Sequence, residues 1–333
     1  MAPSLTAVAK AAGLSKSTVS RYVRGQLRVT PETETKIQKA MASVGWNGTS
    51  NKGVPISHIS VLVPELKNPF YAMLIDAIAI EGRKRNINVS VGISGGLSTT
   101  ELEMIDSLSK NPQIDAFMII GANRLEGLYN FRSITKPWVM VDEEIVCPNK
   151  NKGSLVTCDN QNGAYQGVNH LVTQGHREIA FIGGKSELPT AKAREMGFRQ
   201  AMDFHNIAVN ESLVFRGPFN ETFGAAVLPE LTRRVPRPTA AFVASDIVAI
   251  GILSNAEQFS LAIPDDLSIV SCDDIDLCSW LRPRLTSIHQ PTESMAKAAF
   301  DALEPTEVST HSRTLLPMHL TVRSSVTPIN SKV

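Results

Sequence analysis

A chain of 333 residues, 43% hydrophobic and 20% charged, is long enough for two or three packed domains and too apolar to be disordered. No apolar run reaches the ~20 residues that a membrane helix needs, and MAPSLTAVAK lacks the basic-then-apolar order of a secretory signal, so a cytoplasmic protein is expected. The net charge of +1 is split: residues 1–52 carry Lys10, Lys16, Arg21, Arg24, Arg28, Lys36, Lys39 and Lys52 against Glu32 and Glu34, which gives +6 there and leaves −5 for the remainder.

Along the chain, Leu5, Val8, Ala9 and Ala12 recur at three- and four-residue steps and predict a first helix with one buried stripe. Gly13 can take the left-handed conformation that ends it, and Leu14 points back into the core. Ser15 is a good N-cap for a second helix, in which Val19 and Tyr22 or Val23 face inward. Lys16, Ser17, Ser20, Arg21 and Arg24 stay outside. This is the layout of a helix-turn-helix, whose second helix enters the DNA major groove. The plainer alternative is a helical hairpin with a solvated basic face; the +6 charge favours a phosphate-binding module. Thr30-Pro31-Glu32 starts a third helix with Ile37, Ala40, Met41 and Val44 as its stripe. Gly45 ends it, and Trp46 packs back. Residues 1–47 therefore read as an all-α domain. Residues 48–57, with Gly48, Gly53 and Pro55, read as a flexible linker.

From His58 onward short apolar runs alternate with helix-like stretches. The runs are 59–63, 87–91, 114–120, 137–141, 155–158, 179–183, 240–244 and 267–271, and the helical stretches include 68–82, 160–175, 190–205 and 246–259. Such alternation predicts βαβ units in parallel sheets, and the length calls for two of them. A final strand is expected at Leu315–Val322. Several strands stop at acidic residues: Glu65, Asp142, Asp246, Asp273 and Asp274. Ligands of doubly wound folds bind outside the carboxyl ends of strands, so a polar cleft is one reading; helix capping by each Asp is the other.

Motifs for catalysis are missing. No G-x-G-x-x-G follows a strand, and there is no Walker A, G-x-S-x-G or H-E-x-x-H. Cys147, Cys158, Cys272 and Cys278 have no C-x-x-C spacing, which argues for reduced thiols and no metal or cofactor. A nucleotide-dependent oxidoreductase would need the absent glycine loop. An exported solute-binding protein would need a signal peptide and no basic headpiece.

AGLSKSTVSR (12–21), with Val29-Thr-Pro-Glu-Thr33, resembles the headpiece of the lactose/galactose repressor (LacI/GalR) family. The resemblance continues through NPFY (68–71), GHREIAFIGG (175–184), AREMGF (193–198), ASDIVAIG (244–251), IPDDLSIVSCDD (263–274) and RPRLTSIHQP (282–291). It implies a periplasmic-binding-protein-like core at 58–333 with two α/β subdomains and three crossovers. One subdomain is expected at about 58–157 plus 290–305, the other at about 158–289 plus 306–330. It further implies a homodimeric repressor on a pseudo-palindromic operator, controlled by a small sugar-like effector. Lys16, Ser17 and Arg21 match base readers; Thr18, Ser20, Arg24 and Arg28 match phosphate contacts. Phe70, Tyr71, Asp142, Thr190, Arg194, Phe219, Asp246 and Asp273 match effector-facing positions. The family's linker carries an Ala-x-x-Leu hinge helix whose leucine wedges into the minor groove. Residues 47–57 have neither alanine nor leucine, which implies loosely tethered headpieces.

Overall fold

The computed structural model describes residues 4–23, 27, 29–46, 56–121, 134, 136–144, 153–304 and 312–329. Arg24, Arg28, Cys147 and linker positions 48–55 lie outside the described residues.

The N-terminal unit is α1 (Leu5–Ala12), α2 (Lys16–Val23) and α3 (Pro31–Ser43). Ser4 caps α1, and Gly13 closes it at φ 66° with its N–H on the Ala9 and Lys10 carbonyls. Ser15 Oγ accepts from the Thr18 N–H at 3.0 Å. Thr30 caps α3, with Pro31 at its start. Val8, Ala9, Val19, Ile37 and Ala40 form the buried centre, flanked by both Tyr22 and Val23, and by Trp46. The Tyr22 hydroxyl donates to Glu34 Oε1 (2.9 Å), which ties α2 to α3.

The remaining strands build two six-stranded sheets. The first holds β1 (His58–Val63), β2 (Asn88–Ile93), β3 (Ala116–Ile120), β4 (Trp138–Val141), β5 (Ser154–Cys158) and β11 (Arg313–Leu316), ordered β11-β5-β4-β3-β1-β2 and parallel throughout. The second holds β6 (Ile179–Gly183), β7 (Val214–Arg216), β8 (Ala240–Val243), β9 (Ser268–Asp273), β10 (Thr286–His289) and β12 (His319–Thr321), ordered β12-β10-β9-β8-β6-β7. Only β12 runs antiparallel, against β10. Every residue of β3, β4, β6 and β8 is buried, as continuous apolar runs in a sheet covered on both faces must be. The cover comes from α4 (Pro69–Lys84), α5 (Ser98–Lys110) and α10 (Thr292–Leu303) on the first sheet. On the second it comes from α6 (Asn160–Thr173), α7 (Pro189–Phe204), α8 (Glu221–Arg233) and α9 (Asp246–Asn255).

The chain crosses between the subdomains three times: after β5, after β10, and between β11 and β12. The last crossing corrects two expectations. Residues 315–322 are not one strand, and 306–330 do not all accompany the second subdomain. Leu155 N–H donates to Ser312 O and Asp159 N–H to Leu316 O (both 2.8 Å), so β11 extends the first sheet. Pro317, which has no N–H to give a ladder, separates it from β12.

Candidate nucleic-acid interface and inter-subdomain cleft

The outer face of α2 carries the expected contact residues. Lys16, Ser17 and Arg21 are exposed, while Thr18 and Ser20 are half-buried. Ser15 Oγ lies 2.8 Å from Ser17 Oγ and 2.7 Å from Thr18 Oγ1, so these hydroxyls share one network at the helix start. Among the described residues, no carboxylate pairs with Lys16 or Arg21. Their charges, with the N–H groups of the first turn, are available to an anion. Val19 is fully buried below them and sets the angle at which the basic face is presented.

The second candidate is a cavity of about 450 Å³ between the subdomains. In both sheets the strand order reverses beside a central strand, at β1/β3 and at β6/β8, and the lining residues follow the carboxyl ends of these and neighbouring strands. Seven expected positions meet there: Phe70, Tyr71, Asp142, Thr190, Arg194, Phe219 and Asp273. Phe70 and Tyr71 start α4, where Asn68 Oδ1 accepts from the Phe70 N–H (3.1 Å). Their ring centroids are 5.6 Å apart.

Arg194 crosses the floor of the second subdomain. Nε donates to Asn160 Oδ1 (2.7 Å), and Nη1 donates to the Ala244 carbonyl (2.5 Å) and Asp273 Oδ1 (3.4 Å). Its guanidinium also lies 5.8 Å from the Phe219 ring centroid. Asp273 accepts further from Gln290 Nε2 (2.8 Å) and Ser245 Oγ (2.8 Å). Burial raises the Asp273 pKa, with Arg194 pulling the other way. Asp142 is pushed up to about 8, first by burial and then by Glu143 beside it. Asp142 (φ 74°) and Asp273 (φ 121°) both occupy the positive-φ region, a strain commonly stored where a side chain must be aimed.

Asp246 is the correction. It does not line the cavity. It is fully buried inside the second subdomain, accepting from Ser271 Oγ, Ser287 Oγ (2.7 Å), the Ile275 N–H (2.9 Å) and Cys278 Sγ (3.1 Å). Four donors from the β9–β10 region make it an internal tie, set one position past the strand-end Ser245.

Among the lining residues that the sequence did not single out, two hold other cleft residues in place. Glu143, which follows β4, accepts from both the Thr190 hydroxyl and the Thr190 N–H (3.3 Å) across the cleft. Leu188 gives α7 no side-chain cap, so Glu143 caps that helix from the other subdomain. Gln290, just after β10, braces Asp273. Adjacent acids at 142–144 were the only signal for the first; nothing marked the second.

Known proteins agree with this architecture. Residues 4–47 match the model of bacterial regulatory proteins of the lacI family, and residues 168–326 match a periplasmic binding protein-like domain. The HTH-type transcriptional repressor CytR of Escherichia coli K12 is 31% identical over 330 residues, covering 96% of this chain and 94% of CytR. The HTH-type transcriptional repressor PurR of Vibrio campbellii is 28% identical over 332 residues, covering 97% and 98%. The solved transcriptional regulator CelR, in complex with cellobiose, superposes with a TM-score of 0.69 at 27% identity, covering 97% of this chain and 99% of CelR. Among the described residues no helix is long and apolar enough to cross a membrane. The chain belongs to the LacI family of bacterial regulatory proteins: it is a DNA-binding transcriptional repressor, not an enzyme.

Proposed function

We propose that this repressor acts in the cytoplasm as a homodimer on a pseudo-palindromic operator, and that a small polar effector, a sugar or sugar derivative, controls it from the inter-subdomain cleft. The observation that carries the DNA half is the exposed Lys16–Ser17–Arg21 face of α2, seated on a buried three-helix core. Lys16, Ser17 and Arg21 read base edges; arginine does so bidentately at guanine. Thr18, Ser20, Arg24 and Arg28 hold phosphates and set register. Two-fold symmetry of the protein matches inverted half-sites.

The cleft supports the effector half. Phe70, Tyr71 and Phe219 supply faces for apolar surface, and Asp142, Thr190, Arg194 and Asp273 supply hydrogen-bonding groups. The ligand acts only through a difference in affinity between open and closed arrangements. Since residues 47–57 lack the alanine and leucine of a wedging hinge helix, specificity leans on Lys16, Ser17 and Arg21.

Arg21→Ala is expected to weaken specific operator binding by about 1–3 kcal/mol while leaving weak non-specific binding largely in place. A gel-shift titration on the cognate operator, with a scrambled duplex alongside, measures both. Undiminished specific affinity would remove Arg21 from the reading set.

A further inference from the structure

Two acceptor atoms in the cleft have no hydrogen-bond partner among the described residues: Asp142 Oδ1 and Gln290 Oε1. Both side chains line the cavity and both are almost fully buried, at 6% and 1% exposure. The amide orientation of Gln290 follows from Arg194, which can only donate: Asp273 Oδ1 accepts from Arg194 Nη1, so Gln290 meets the same oxygen with its Nε2. The atom left over on Gln290 is therefore an acceptor. An orphaned buried acceptor costs about 1–3 kcal/mol, so whatever fills the cleft presents donors to this pair.

Charge narrows the donor. Asp142, Glu143 and Asp273 are all buried at the cavity, and among the described residues Arg194 is the buried cation that lines it. Arg194 is already committed to Asp273, Ala244 and Asn160. Glu143 is answered by Thr190. Asp142 is answered by nothing on its free oxygen. Lys67 and Lys185 also line the cavity but are exposed. Aromatic faces at Phe70 and Tyr71 line the same space, and a ring face attracts a cation.

We propose that the effector carries a protonated amine, an amino sugar or aminated polyol, whose ammonium donates to Asp142 Oδ1 and Gln290 Oε1. This rests on the cleft being the effector site. The titratable and charged groups facing Asp142 are Glu143, Asp273, Tyr71, Cys158 and Arg194. Burial and Glu143 raise Asp142 to about 8, so its carboxylate form is disfavoured among these acids. An ammonium stabilises the carboxylate instead. Binding then expels the proton from Asp142, and affinity rises as pH rises toward about 8.

The test uses the full chain in titration calorimetry with matched pairs: D-glucosamine against D-glucose, and glucamine against sorbitol, with glucose 6-phosphate as the anionic control. The amine member of at least one pair is expected to bind about tenfold more tightly than its hydroxyl twin, or ~1.4 kcal/mol. Glucamine, whose amine stays protonated near neutral pH, is expected to release protons to buffer on binding. Asp142→Asn, shown folded by circular dichroism, is expected to lose both the preference and the proton release. Three results overturn the proposal: a hydroxyl twin or the phosphate binding as tightly as the amine, a preference that survives Asp142→Asn, or no amine binding at all. A neutral or anionic ligand that binds and releases the operator would still leave the cleft as the effector site, so that reading fails separately.

Discussion

Asp246 and Asp273 lie close enough to interact, yet only one belongs to the cleft. Asp246 takes four donors, from Ser271, Ser287, Ile275 and Cys278, and all four are fixed in the interior. Burial and then the Asp273 charge push it up to about 7, and those hydrogen bonds oppose the rise. An acid whose folded pKa is raised loses stabilisation as pH rises between its unfolded and folded values, so Asp246 weakens the fold between 3.8 and about 7. Removing the charge without changing shape nevertheless does harm. Asp246→Asn turns one acceptor into an N–H that faces a donor, and is expected to cost about 1–3 kcal/mol in chemical denaturation. Effector affinity is expected to hold, because no atom lining the cavity changes. A loss of affinity with unchanged stability would restore Asp246 to the cleft.

At the scale of elements, glycine decides how closely the helices of the second subdomain pack. A Cβ on Gly197 in α7 would overlap the Gln161 carbonyl oxygen of α6. Gly197→Ala is therefore expected to cost about 1–3 kcal/mol, read as a lower denaturation midpoint. Elements with strong patterns could be read before any coordinates: α1 to α3, with Gly13, Ser15 and Thr30 at their ends, and the apolar runs that became β1 to β6, β8 and β9. β7 and β10 could not, although β4 and β8 are as short as β10. The single strand expected at 315–322 is two, because β11 joins the first sheet through backbone bonds to β5 that no side chain announces. Strand-end acids pointed to Asp142 and Asp273 because position along a strand fixes which edge a residue reaches. Glu143 and Gln290 act through partners that are distant in sequence, Thr190 and Asp273, and spacing carries no record of those.

For the whole molecule, β1 has the cleft at one end and the chain arriving from the DNA-binding unit at the other. The cleft lies beyond Val63, and the chain from the headpiece enters before His58. Six residues of strand separate them by ~20 Å, and the strand is buried and paired on both sides, so it moves as a rigid bar. One route from the cleft to the headpiece runs along β1, and it requires the chain just before β1 to be held to that bar. Asp115 Oδ2 holds it, accepting from the Ser57 N–H (2.8 Å), the Ser57 hydroxyl (2.9 Å) and the His58 N–H (3.0 Å). Burial opposes ionisation here, but the Ser57 and His58 bonds win and lower the Asp115 pKa. Its stabilisation is thus present above 3.8 and is lost as pH falls further. Asp115→Ala releases the entry point and leaves the cleft intact. Effector affinity is expected to stay the same, while the effector-dependent change in operator affinity shrinks, by up to the ~1–3 kcal/mol typical of coupling between sites. Fluorescence anisotropy on labelled operator, with and without effector, measures that change. A full response in the variant would mean that the signal reaches the headpiece by a route that bypasses Ser57.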